Sequence, residues 1–223
     1  MSFELDHLFI CTTLEAPEAD QLISFGLTEG TPNVHPGQGT SNRRFFFHNL
    51  MLELLWVHDP TEAQSGAVQP IHLWERWSQR DRGACPFGVC LRPALEPAGE
   101  LPFTSWNYHP PYLPPSLSIP VATNADIVTE PMLFYLSFGQ RQDTYPVERA
   151  QPLQQAIALQ EVTRVEFVTP HANSLSPELQ SLVDTGLIDV RSGAAYALEF
   201  GFDGEQQGKE AQFQPGLPLR FCW

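Results

Sequence analysis

The run LMLELLW (50–56) carries a single carboxylate, Glu53, and the run LDHLFICT (5–12) carries His7. A carboxylate inside a strand that otherwise reads as core is costly unless it is paired, protonated or bound to a metal. Those three answers point to a structural role, to acid–base chemistry, or to metal chemistry. Between the two runs, the stretch HPGQGTSNRR (35–44) gathers His35, Thr40, Asn42 and Arg43 around Gly37 and Gly39. The glycines permit backbone angles that turn consecutive N–H groups toward an anion, with those four side chains as substrate-binding candidates. No lysine follows the glycines, so this is not a P-loop. Further on, WNYHPPY (106–112) is dense in aromatics with polar handles. Trp106 and His109 are pocket candidates there, while Tyr108, Tyr112 and Tyr135 read as packing. The chain has no G-x-S-x-G nucleophile motif and no Rossmann glycine fingerprint.

The elements that must position these groups are mostly strands. ELDHLFICT (4–12) is a strand, followed by a helix in APEADQLISFGL with Pro17 in its first turn and Gly26 at its end. RRFFFHN and LMLELLWVHD are two strands joined at His48-Asn49, a break short enough for a tight hairpin. A short helix in IHLWERWSQR and a strand, FGVCLRP, complete the region 4–92. From 93 to 130 prolines crowd the chain, which predicts an irregular arm without interior sheet positions. In 131–223 MLFYLSF, VTRVEFVTP, AAYALEFGFDG and LPLRFCW are strands, and SPELQSLVDTGL is a helix with Ser176 as N-cap.

The strand–helix–strand–strand order of 4–92 thus recurs after 131. Aligning LMLELLW with LPLRFCW sets Glu53 against Arg220, and aligning LDHLFICT with TRVEFVTP sets His7 against Arg164. With 223 residues and 42% hydrophobic residues the chain has material for a sizeable core. The net charge of −14, with Lys209 as the single lysine, argues against nucleic acid and against anionic membrane surfaces, both of which need basic patches. A few arginines still suffice for a local anion site. Cys11, Cys85, Cys90 and Cys222 form no C-x-x-C pair and read as reduced core residues. Neither a signal peptide nor an apolar run long enough to span a membrane stands out, so the expectation is a soluble, cytoplasmic protein.

On LDHLFICT, HPGQGTSNR, LMLELLW and the segment from WNYHPPYLPP to EPMLFYLSF, the chain resembles the glyoxalase-like domain proteins of the vicinal oxygen chelate superfamily. The resemblance implies an α+β fold: two βαβββ modules, here 4–92 and 131–223, forming a curved mixed sheet around a cleft, with the proline-rich insert 93–130 between them. It implies a small-molecule ligand bearing a carbonyl or carboxylate, and a lyase, isomerase or dioxygenase activity. The alternative is a non-catalytic protein that binds or sequesters such a molecule. It also implies His7 and Glu53 as ligands of a divalent metal ion, and it leaves a homodimer open. Here the sequence departs from the pattern, because the aligned positions of the second half are Arg164 and Arg220. Arginine carries no acceptor and cannot ligate a cation. Glu166, Glu199 and His171 remain as replacement ligands, but the expectation is no tightly bound cofactor. In the metal-free version Glu53 is a general base and Arg164 and Arg220 stabilise the developing oxyanion, all four residues meeting in one cavity.

Overall fold

Alternation along the runs that carry His7 and Glu53 sorts their side chains onto two faces, and the fold is built on that sorting. The computed structural model describes residues 2–94, 99–155 and 159–223. In it β1 (Phe3–Cys11) and β4 (Met51–Val57) lie side by side and parallel, with Phe9 opposite Glu53. Leu8, Ile10, Leu52 and Leu54 enter one hydrophobic cluster, while Phe9, Cys11 and Leu55 enter another on the opposite face. A parallel neighbour needs a crossover, and α1 (Ala19–Phe25) supplies it. That helix stops at Gly26, whose left-handed backbone (φ 116°) lets its N–H cap the last carbonyls. β2 (Asn33–His35) and β3 (Thr40–Phe46) follow antiparallel, and β3 turns into β4 through residues 47–50, where Phe47 N–H donates to the Leu50 carbonyl at 2.8 Å.

The second half of the same sheet comes from β5 (Phe87–Pro93), β6 (Ser105–Tyr108), β7 (Ile119–Ala122) and β8 (Met132–Tyr135). β5 pairs antiparallel with β1, and β8 runs parallel to β5. Cys90 faces Phe134 with the same sequence offset as Phe9 and Glu53. The order β2-β3-β4-β1-β5-β8-β7-β6 therefore repeats one arrangement on either side of the β1–β5 seam. The prolines do not keep 93–130 out of the sheet. β7 carries Pro120, but it registers with β8 only at Val121 and Phe134, so the missing N–H breaks no long ladder.

Two short helices, α2 (Pro60–Ala63) and α3 (Leu73–Ser78), lie between β4 and β5. Beyond β8, β9 (Val162–Thr169), β10 (Asp189–Ser192), β11 (Ala197–Phe202), β12 (Glu210–Gln212) and β13 (Leu219–Cys222) form a second sheet, ordered β10-β9-β11-β13-β12. α4 (Pro177–Asp184) joins β9 to β10, capped as its sequence predicts by Ser176, whose hydroxyl accepts from Leu179 N–H at 3.2 Å. The architecture is α+β, with two mixed sheets of eight and five strands among the described residues.

The two sheets pack through aromatic side chains. Phe47 lies 4.8 Å from Phe202 and 6.2 Å from Phe221, and Phe87 lies 5.6 Å from Phe167, centroid to centroid. Burying each such ring contributes about 2 kcal/mol. The Asn49 side chain, at the β3–β4 turn, donates to the Val162 carbonyl (2.8 Å) and accepts from its N–H (2.9 Å), tying the start of β9 to the first sheet.

This topology corrects the division read from the sequence. FGVCLRP does not close the first half: β1–β4 (3–57) is partnered by β5–β8 (87–135), not by 131–223, and the proline-rich segment belongs to that second half. LDHLFICT and TRVEFVTP stand in different sheets, as do LMLELLW and LPLRFCW. Apolar strands share a period of two whatever they pair with, so matching frames do not identify partners. Among the described residues no helix is long and apolar enough to cross a membrane.

The seam between the halves is closely packed: a Cβ at Gly88, on β5, would lie 2.0 Å from the ring of Phe9. Gly88→Ala is therefore expected to destabilise the protein by about 1–3 kcal/mol. Chemical denaturation checks this, read against the open position Gly66, where a Cβ meets nothing within 4 Å and Ala should cost far less.

Candidate functional site

On the face of the large sheet turned away from the small one lies a cavity of about 400 Å³. His7 and Glu53 both line it, as strand alternation predicts. One detail could not be read from alternation. Leu5 faces Leu91 and His7 faces Cys90, so β1 accommodates one extra residue, Asp6. This β-bulge turns two consecutive side chains, Asp6 and His7, to the same cavity, and sends Leu5 to the inter-sheet core instead of the face of His7.

The bulge builds a line of charge. The Asp6 carboxylate meets His7 Nδ1 at 2.7 Å, and His7 Nε2 faces Glu53 Oε2 at 3.7 Å. Asn42 Nδ2 donates to Glu53 Oε1, and Asn42 Oδ1 accepts from Asn33 N–H at 2.9 Å. Glu53 is thus a paired carboxylate, 5% exposed, with one oxygen held by an amide and the other aimed at an imidazole. Burial opposes a charge on His7. The Asp6 hydrogen bond and the negative charges of Asp6 and Glu53 outweigh it, so the His7 pKa is raised.

Arg44 stands directly across from Glu53 in the β3–β4 register and lines the same cavity. Its Nε donates to the Thr31 carbonyl at 2.7 Å and its guanidinium lies 5.3 Å from the Phe46 ring centroid. Burial lowers its pKa, and the charge of Glu53 offsets only part of that. Among the described residues no carboxylate lies within ion-pair distance of it.

The sequence candidates divide along the same alternation. Asn42 and His35 line the cavity. His35 is wedged between Thr40 Oγ1 (2.9 Å) and Asn33 Nδ2 (3.2 Å), with its ring 4.8 Å from that of Tyr112. Burial lowers its pKa, so it serves as a neutral wall. Thr40 is fully buried behind it, also accepting from Gln38 Nε2 at 2.9 Å, and positions His35 instead of touching a ligand. Arg43, adjacent to Asn42 in a strand, points to the opposite face and is paired with Glu29 and Asp20. Arg44 takes the place expected of Arg43 because residues 40–46 are a strand and not a loop. The glycine concavity does not form either. Gly37 N–H is taken by Glu62 at 2.8 Å, and both Gly37 and Gly39 serve a left-handed turn (φ 79° and 72°). Trp106 and His109 lie outside the cavity wall, and Tyr108 and Tyr112 line it in their stead.

Arg164 and Arg220 are not in this cavity. They lie in the small sheet, in a network where Arg164 bonds Glu205 (2.6 Å) and Glu166 (3.2 Å), and Arg220 pairs with Glu210 and approaches Glu199 at 3.5 Å. Glu166 and Glu199 are held there by Arg191 as well, and with His171 they belong to the second sheet and its flank. None of them replaces a ligand beside His7.

Two groups of side chains among the described residues bring metal-ligand atoms within 4.8 Å of one another. His7 Nε2 faces an oxygen of Glu53 while Asp6 is engaged on Nδ1. On this face β5 and β8 offer Cys90, Met132 and Phe134. Cys90 groups with Asp6 and His7 by distance, but burial pushes its thiol pKa well above the ordinary value and its Sγ–H donates to the Leu91 carbonyl at 3.5 Å. As arranged, with Asp6 hydrogen-bonded to His7 and the Cys90 thiol bonded to a backbone carbonyl, the group is engaged within the protein, and a cation there would have to displace the Asp6–His7 bond and deprotonate the thiol. A second grouping, His48, Asp143 and Glu161, is already bridged by Arg141, at 2.9 Å to Asp143 and 2.5 Å to Glu161.

The fold and site thus define an α+β protein whose large sheet holds a ligand-sized cleft with an Asp–His–Glu line on its wall. The sequence matches no family model and no curated protein. The structure is similar to the crystal structure of a hypothetical protein from Staphylococcus aureus, with a TM-score of 0.57 and 11% identity over 99% of each chain. That likeness is one of fold.

Because the folded pKa of His7 is raised, its charged form adds stability below the ordinary histidine value of about 6.5. That contribution is lost as the pH rises through the raised folded value. In Asp6→Asn the His7 titration, followed by NMR, is expected to move down. The stability gap between wild type and variant should be wider at about pH 6 than at about pH 9. An unmoved titration would mean that Asp6 does not hold the imidazole.

Proposed function

We propose that this chain is a glyoxalase-like protein of the vicinal oxygen chelate superfamily. In this reading its cleft binds a small organic molecule bearing a carbonyl or carboxylate and moves a proton on it without a metal. The sheet order, two like units meeting at the β1–β5 seam, supports the fold part of the reading. The observation that carries the functional part is the Asp6–His7–Glu53 line on the wall of the cavity.

In this mechanism Glu53 Oε2 accepts a proton from the carbon next to the ligand carbonyl. The C–H electron pair becomes the C=C bond of an enolate, and the carbonyl oxygen takes up the negative charge. Arg44, the cross-strand neighbour of Glu53, stabilises that oxygen in the role the sequence had assigned to Arg164 and Arg220. The proton passes between Glu53 and His7 Nε2 and returns to a carbon or to the oxygen, so the net reaction is an isomerisation or, with a leaving group on the next carbon, a lyase step. Asp6 keeps the imidazole in one orientation throughout. Asn42 fixes the other oxygen of Glu53, so that the base is aimed before the ligand arrives.

The test is exchange of carbon-bound hydrogen. A panel of small 2-oxo acids and ketones, incubated with the protein in D2O and followed by NMR, is expected to include at least one compound that gains deuterium. In Glu53→Gln that exchange should fall on the order of 10²–10⁴-fold with the fold intact. If wild type exchanges nothing across the panel yet binds its members, the non-catalytic binding protein is the correct reading. Exchange that survives Glu53→Gln would remove Glu53 from the mechanism.

A further inference from the structure

In a chain of net charge −14, seven of the eleven arginines have a neighbouring carboxylate among the described residues. Among the described residues Arg43, Arg80, Arg92, Arg141, Arg164, Arg191 and Arg220 each have an acidic partner within 4.0 Å. Arg76 is buried and donates to the carbonyls of Ala125, Ile127 and Glu130. Among the described residues Arg44, Arg82 and Arg149 have no carboxylate partner; Arg82 is exposed away from the large cavity, and Arg44 and Arg149 both line it. We propose that together they form a carboxylate-binding subsite, and that the ligand is an amphipathic monocarboxylate held head-outward. This inference rests on the cleft reading given above and specifies its substrate class.

Three observations place the segment that carries Arg149 beside Arg44. Arg44 Nε donates to the Thr31 carbonyl, and Thr31 N–H donates to Gln151 Oε1 at 2.9 Å. Gln151 is two residues from Arg149 on the segment that follows β8, so that segment is fastened across the end of β3 beside Arg44. The fastening is continued by Gln154, which accepts from Thr28 N–H at 2.7 Å and donates to the Phe46 carbonyl at 3.2 Å. Arg149 itself is exposed and its guanidinium lies 5.4 Å from the Tyr145 ring centroid, at the mouth of the cavity.

The orientation follows from the gradient along the walls. Phe9, Leu55, Ile71, Leu73, Ile119 and Met132 line the cavity and are buried, whereas Arg149 and Phe138 line it and are exposed. An apolar tail gains by leaving water for the buried end. A carboxylate gains by meeting two arginines, one of them half-desolvated and without a counter-charge. Since Glu53 is the cross-strand neighbour of Arg44, a head bound there brings the carbons nearest the carboxylate to the base.

Binding of octanoate and of octanamide, measured by calorimetry on the full chain, separates the head from the tail. Octanoate is expected to bind wild type at least 10-fold more tightly than octanamide. Arg44→Gln and Arg149→Gln should each weaken octanoate, Arg44→Gln on the order of 10- to 100-fold, while octanamide binding stays within about twofold. The unchanged octanamide affinity also serves as the check that each variant is folded. Equal affinity for acid and amide in wild type overturns the proposal, as does a variant that loses both probes equally while its melting curve is unchanged. The two readings fail separately. Deuterium exchange on a small 2-oxo acid without octanoate binding removes the subsite and keeps the base. Octanoate binding that depends on Arg44, with no exchange on any compound, keeps the subsite and removes the base.

Discussion

The antiparallel pairing of β1 with β5 is the constraint on which the site depends. It joins the two halves of the large sheet, and at its centre one residue too many on β1 has to be accommodated. Had the ladder been regular, Asp6 and His7 would point to opposite faces, and a buried carboxylate would be forced into the aromatic inter-sheet core at prohibitive cost. The bulge avoids that burial by bringing Asp6 to the face of His7, and a hydrogen-bonded pair results. The same local irregularity therefore keeps a carboxylate out of the aromatic core and orients an imidazole, with Asp6 still buried and its second oxygen left without a hydrogen bond among the described residues. Gly88 belongs to this arrangement, since the ring of Phe9 occupies the space its side chain would need.

Charge is managed differently on the two sheets. On the small sheet Arg164, Arg191 and Arg220 interleave with Glu166, Glu199, Glu205 and Glu210, so each charge has opposite neighbours at short range. Half-exposed pairs of this kind contribute little each, and their value lies in neutrality on a crowded face. On the cavity wall the count is left open. Asp6 and Glu53 share His7, and Arg44 stands near Glu53 without reaching it. A surface that is self-neutral at short range offers an anion nothing, whereas a cavity wall whose arginines, among the described residues, have no carboxylate within ion-pair reach does.

The sequence alone determined the positions of the principal strands, because their apolar runs, the hairpin at His48-Asn49 and the Ser176 cap are local signals. It also assigned His7 and Glu53 each to one face of its own strand, and the pairing of β1 with β4 is what brings those two faces to one cavity. The partner of the first half was not legible. LMLELLW and LPLRFCW look alike because any half-buried strand must, and only the ladder shows that β5 and β8, reached through a proline-rich stretch, complete the sheet. That choice removed Arg164 and Arg220 from the site and put Cys90 and Phe134 in their stead. The exchange of Arg43 for Arg44 needed one further fact, that residue 40 opens a strand, after which alternation assigns both arginines. Asp6 and Arg149 lay beyond any local rule. One depends on a bulge imposed by a strand 80 or more positions away, and the other on a linker laid across β3 by hydrogen bonds from Gln151 and Gln154. Pairing across such distances is an energy of the whole molecule, and no window of the sequence contains it.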